Sequence, residues 1–178
     1  MPQPTLRARP LRIESLENRR LLAFNPTAGE QELLQLVNRF RTDPQGEFAR
    51  LIATTSPLKA RDPILQVDLD FAQVNGSVLK SQLASMQPVP PVAWNEAISS
   101  FTAAHNAKMI ATKPPQQSHS DSLERRNALI KAGVNLRLAA GEKITSENVF
   151  GYGKSALHTF AAFVIDWERG GPNGMRAD

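Results

Sequence analysis

The chain has 178 residues, 41% apolar and 21% charged, which suits one globular core plus an additional segment. It contains no cysteine, which excludes disulfides, cysteine nucleophiles and thiolate metal sites. Much of the net charge of +4 sits at the start, where Arg7, Arg9, Arg12, Arg19 and Arg20 stand against Glu14 and Glu17. The remainder is close to neutral and has one tyrosine and two tryptophans, so nucleic-acid binding, which wants a basic face and stacking aromatics, is not expected.

Residues 1–28, rich in Arg and Pro, read as a separate, disordered basic segment, and residues 29–178 as the folded part. Residues 1–24 lack the apolar stretch of about 7–15 residues of a standard secretory signal. No apolar run reaches the ~18 residues of a membrane-spanning helix. A helix is expected from near Thr27 or Gly29, with Leu33, Leu34, Leu36, Val37 and Phe40 on one face, ending at Asp43-Pro44. Residues 48–52 add a turn or two. Residues 54–70, with Pro57 and Pro63, read as a loop, and residues 69–86 as a second helix.

Gln87-Pro88-Val89-Pro90-Pro91 is a stiff extended connector. Asn95 is a candidate N-cap for a helix whose stripe holds Ala97, Ile98, Phe101, Ala104, His105, Lys108 and Met109, stopped by Lys113-Pro114-Pro115. Residues 116–122 form a polar loop. A short helix over residues 123–132 ends at Gly133. Residues 134–143 are ambiguous, and residues 144–152 read as a short strand or an extended loop. A last helix runs over residues 155–167, and Gly170-Gly171-Pro172-Asn173-Gly174 is turn-rich.

Of the three histidines, His105 and His158 fall within helices and read as structural or surface residues. His119 lies in the polar loop between Ser118 and Ser120, where hydroxyls can hold an accessible imidazole. Glu147 stands in an uncharged run before Gly151-Tyr152-Gly153. Burial there would raise its pKa unless a partner such as an imidazole faced it. Such a pair can exchange protons or contribute to a divalent-metal site. The plain alternative is an exposed glutamate at the end of an element. There is no Gly-x-Ser-x-Gly elbow, no His-Glu-x-x-His and no phosphate-loop spacing around Lys154.

Several pieces taken in order carry a resemblance. Leu36-Val37-Asn38-Arg39-Phe40-Arg41-Thr42-Asp43-Pro44 resembles a "LVNxxRxxP" helix. Pro90-Pro91-Val92-Ala93-Trp94-Asn95 with Ala103-Ala104-His105-Asn106-Ala107-Lys108-Met109 resembles "PLxWNxxLxxAAxxHxxxM". Ser118-His119-Ser120 is similar to "sHs", Arg126 to Val134 to "RxxxAGY", and Ser146-Glu147-Asn148-Val149 to "GENI". Together, over residues 30–178, they resemble the CAP (SCP-like extracellular) domain. Leu16-Glu17-Asn18-Arg19-Arg20-Leu21-Leu22-Ala23 resembles the "LEPRxLLA" signature of exported planctomycete proteins.

The CAP resemblance implies an α+β fold, an α-β-α sandwich, with a cavity tetrad of two histidines and two acids that binds zinc in some members. It assigns His119, as tetrad histidine and candidate metal ligand, and Glu147, as one acid. The other histidine belongs to a "GHR" or "GHY" motif, which Met175-Arg176-Ala177-Asp178 does not reach. Asp166 and Glu168 do not match the second acid. The expectation is therefore a domain stopping before its last strands, and helix-rich for that reason.

The expected function is a secreted or cell-surface binding module for an extracellular ligand (a lipid, a peptide or a cell-envelope component), without proven catalysis. The alternatives are a metal-assisted hydrolase using His119 and Glu147, and a helical interaction domain unrelated to CAP.

Overall fold

A computed structural model describes residues 26–115, 117–136 and 145–166. The basic segment up to residue 25 with its signature, most of the ambiguous stretch over residues 134–143, and the tail from Trp167 onward lie outside the described residues.

Helix α1 (Ala28–Thr42) opens as expected. The Thr27 hydroxyl accepts from the Glu30 N–H, and the Glu30 carboxylate accepts from the Thr27 N–H, a reciprocal cap. Asp43 ends α1 and at once caps α2 (Pro44–Leu51), accepting from the Gly46 N–H at 2.9 Å. Pro44 suits the first helical position, where its missing N–H costs nothing. Helix α2 thus starts four residues before the turn expected over residues 48–52.

Residues 54–70 are not a loop. Ile52–Thr55 (β1) and Leu58–Ala60 (β2) form an antiparallel hairpin, and Pro63–Phe71 is helix α3. Both prolines were misleading as breakers. Pro57 sits in the hairpin turn, and Pro63 occupies the first turn of a helix capped by Asp62, whose carboxylate accepts from the Ile64 and Leu65 N–H groups. Nor are residues 69–86 one helix. The chain breaks after Phe71, with Gln73 in the left-handed region at φ 53°, and restarts as α4 (Gly76–Ala84) under an Asn75 cap. Gly76 is buried against β1, where a Cβ would lie 2.2 Å from the Thr55 carbonyl oxygen, so only glycine fits.

Helices α5 (Glu96–Ala111), α6 (Ser122–Lys131) and α7 (Ala156–Ile165) follow, capped by Asn95, Asp121 and Ser155. Residues 145–150 form neither helix nor strand. The described residues are helix-rich, with one two-stranded antiparallel sheet.

The core gathers α1, α2, β1, α3, α4 and α7. Leu65, Leu69, Leu79, Leu83, Phe160 and Ile165 are all buried, and Phe40 meets Phe160 edge to face at 5.9 Å. Helix α5 is different, because none of its residues is fully buried. Its inner stripe is Ala97, Phe101, His105 and Met109, while Ile98, Ala104 and Lys108 stay outside.

The connector after α4 is pinned to α1. The Asn38 side chain donates to the Val92 carbonyl at 2.8 Å and accepts from the Val92 N–H at 2.7 Å. The Arg41 Nε donates to the Pro90 carbonyl at 2.8 Å, and the Val89 N–H to the Arg41 carbonyl at 2.7 Å. Asn38→Ala removes one donor and one acceptor and leaves the Val92 groups to water. A loss of about 1–2 kcal/mol is expected in urea unfolding.

Candidate functional site

The polar loop after α5 and the segment before α7 meet over the start of α6. Glu147 is the centre. Its side chain is 12% exposed, and its Oε2 accepts from the Ser120 N–H at 2.7 Å and from the Arg125 guanidinium at 3.0 Å. The Ser120 hydroxyl lies 3.1 Å from both carboxylate oxygens and accepts from Arg125 at 2.7 Å. Arg125 also donates to the Ser120 carbonyl and to Thr145 Oγ1, each at 3.2 Å. Asp121 caps α6, and this places Arg125 in its first turn, pointing at the carboxylate.

His119 Nδ1 lies 3.4 Å from Glu147 Oε2, at ion-pair distance but beyond good hydrogen-bond range, and the histidine side chain is 56% exposed. His105, half-buried on α5, faces the Ser118 carbonyl through Nε2 at 2.8 Å. Gln117 ties the same loop forward, donating to the Val149 carbonyl at 3.0 Å and accepting from the Gly151 N–H at 2.7 Å. The two residues singled out from sequence, His119 and Glu147, therefore share one site, joined there by His105.

Sequence reasoning missed Arg125. Its neighbour Arg126 carries the motif resemblance, but Arg125 is the buried residue that reaches the carboxylate. The available signal was an arginine four residues after a capping Asp121, on the helix that follows the histidine loop.

Burial pushes the Glu147 carboxyl up. The Ser120 N–H and hydroxyl, the Arg125 charge and the His105 charge outweigh burial and hold it below the usual carboxylate value. A carboxylate so held is a weak base at neutral pH. The sign of the pH dependence follows. The unfolded chain binds this proton more readily, so the site's contribution to stability is complete above about pH 4.3 and drains as pH falls through the lower folded-state value. Urea unfolding near pH 6 and near pH 3 is expected to show this loss, and Glu147→Gln to reduce it.

The described residues around Glu147 do not fit a zinc site. Among the described residues, no group of three or more His, Asp and Glu side chains could hold a metal ion. The Glu147 oxygens are already committed to N–H and O–H donors, and a cation would have to approach beside Arg125. The site makes a hydrogen-bonded polar platform with one exposed imidazole at its edge.

Two further polar centres lie elsewhere. His158, buried in α7, accepts from the Lys154 N–H through Nδ1 at 3.2 Å, so its Nε2 carries the proton that it donates to Asp68 Oδ2. This pair braces α7 against α3. Glu47, with no exposed surface, accepts from Arg39 Nε at 2.9 Å and Nη2 at 2.6 Å, and from Arg50 at 3.0 Å.

No protein family, curated protein or solved structure matches the chain.

Proposed function

We propose that the chain is a CAP-type domain of the α-β-α sandwich class, secreted or held at the cell surface, which binds an extracellular ligand through the platform around Glu147 and His119. One observation carries this reading. Ser118-His119-Ser120 and Ser146-Glu147-Asn148-Val149, the two segments that resemble the CAP cavity motifs, converge although Ser120 and Glu147 are 27 positions apart. The half-buried His105, from a third resembling segment, stands against the same loop.

Binding is favoured over hydrolysis because the carboxyl is held below its usual pKa and its Oε2 already accepts from the Ser120 N–H and from Arg125. The Ser120 hydroxyl is likewise committed to Glu147 and Arg125. A ligand that is a lipid, a peptide or a cell-envelope component would meet the exposed His119 edge. Fractionation of the producing cells tests the location. Protein released to the medium, or degraded by protease added to intact cells, is the expected result, and protein confined to the soluble cytoplasm would overturn the reading.

A further inference from the structure

Helix α3 has two apolar faces. Leu65 and Leu69 are buried in the core, while Ile64, Val67 and Phe71 are 40%, 63% and 89% exposed. At about 100° per residue these three fall on one stripe, away from the core face. Asp68 borders the stripe on one side and Asp70 on the other. Both carboxylates are held in place, Asp68 by His158 and Asp70 by the Gln66 side-chain amide at 2.7 Å. Residues 62–71 include three aspartates and no lysine or arginine.

An apolar stripe edged by carboxylates suits an occupant that carries both apolar side chains and cations. A second copy suits it poorly, because two-fold pairing of this face would set aspartate against aspartate. The chain itself contains a fitting segment. Leu11, Ile13, Leu16, Leu21 and Leu22 are interspersed with Arg12, Arg19 and Arg20, within a stretch of net positive charge.

That segment also enters at the right place. Thr27 and Glu30, where α1 begins, line one cleft with Lys154, Ser155 and Thr159 at the start of α7. His158, in the same turn of α7, is the residue that holds Asp68. From there a dozen extended residues reach on the order of 40 Å, more than enough to cross α3.

We propose that residues 11–23 dock in cis on α3, with leucines and isoleucine over Ile64, Val67 and Phe71 and arginines beside Asp68 and Asp70. Any partner that reads the N-terminal segment then competes with α3 for it.

The absence of native cysteine allows a clean test. The full chain carrying Ser15→Cys with a nitroxide label is compared with a Val67→Ser, Phe71→Ser derivative, which alters only exposed positions. Unshifted Leu65 and Leu69 amides show that the derivative is folded. The expected result is intramolecular broadening of the residue 64–71 amides that is lost in the derivative. Three results would overturn the proposal: no broadening, broadening that persists in the derivative, or broadening seen only between labelled and isotope-enriched copies in a mixture. The last would assign the stripe to a second copy. Absence of broadening would leave it to a foreign partner.

Discussion

Arg39→Met is expected to destabilise the protein by about 3 kcal/mol, the lower end of the range for breaking a buried ion pair. Glu47 has no exposed surface and accepts from two arginines, both of them more than half exposed. Removing Arg39 takes away two of the three charge-assisted hydrogen bonds and leaves a buried carboxylate with Arg50 alone. Glu47→Gln should cost less, about 1–2 kcal/mol, because the cations can turn to water and leave no buried charge unpaired. The double change Arg39→Met, Glu47→Leu should recover most of the loss. Urea unfolding of the four proteins checks the ordering. A Glu47→Gln penalty larger than that of Arg39→Met would mean that the pair acts through the carboxylate's packing, not its charge.

Arg125→Met is expected to cost about 2–3 kcal/mol, somewhat below the figure for a fully buried pair because the loop can open to water. The change takes the guanidinium from the Ser120 carbonyl and leaves Glu147 with hydrogen bonds from Ser120 and the long contact to His119. His119→Ala, at an exposed position with one long contact, should stay within about 0.5 kcal/mol. Amide exchange at residues 117–120 and 145–151 should quicken in Arg125→Met and hold steady in His119→Ala. Equal effects would dismiss the network around Arg125 as the device that joins the two segments.

What was legible in the sequence depended on whether the signal was local. The caps at Thr27, Asp43 and Asn95 lie beside the apolar periodicity they start or stop, so α1 and the start of α5 could be placed from the sequence. Pro57 and Pro63 defeated the reading because proline is equally at home in a hairpin turn, at the first turn of a helix and in a loop. What distinguishes these is the partner strand and the Asp62 cap. The break between α3 and α4 hides in apolar spacing that looks continuous through Phe71, Val74 and Val78; Asn75-Gly76 was the local sign of it, and the structure adds the left-handed Gln73 and the tight fit of Gly76 on β1.

At the site, the loop position of His119 and the isolation of Glu147 in an uncharged run were readable. Arg125 was not, since an arginine on a short polar helix looks like any solvated charge until the fold shows what it faces. The Arg39–Glu47 pair was hidden for the same reason: the two residues lie on different helices, α1 and α2, and the burial of Glu47 is a tertiary fact.

The shallow seating of α5 has a consequence for how the molecule comes apart. Among the described residues α5 packs chiefly on α6, and its tie to the core runs through the Asn38 and Arg41 bonds to the connector. Few buried contacts mean a low free energy of opening, so α5 and α6 should behave as a separate cooperative unit. Native-state hydrogen exchange should show this pair opening while α1, α4 and α7 stay closed. Denaturant curves followed at Trp94, which leads into α5, should then fall before those read from whole-chain helicity.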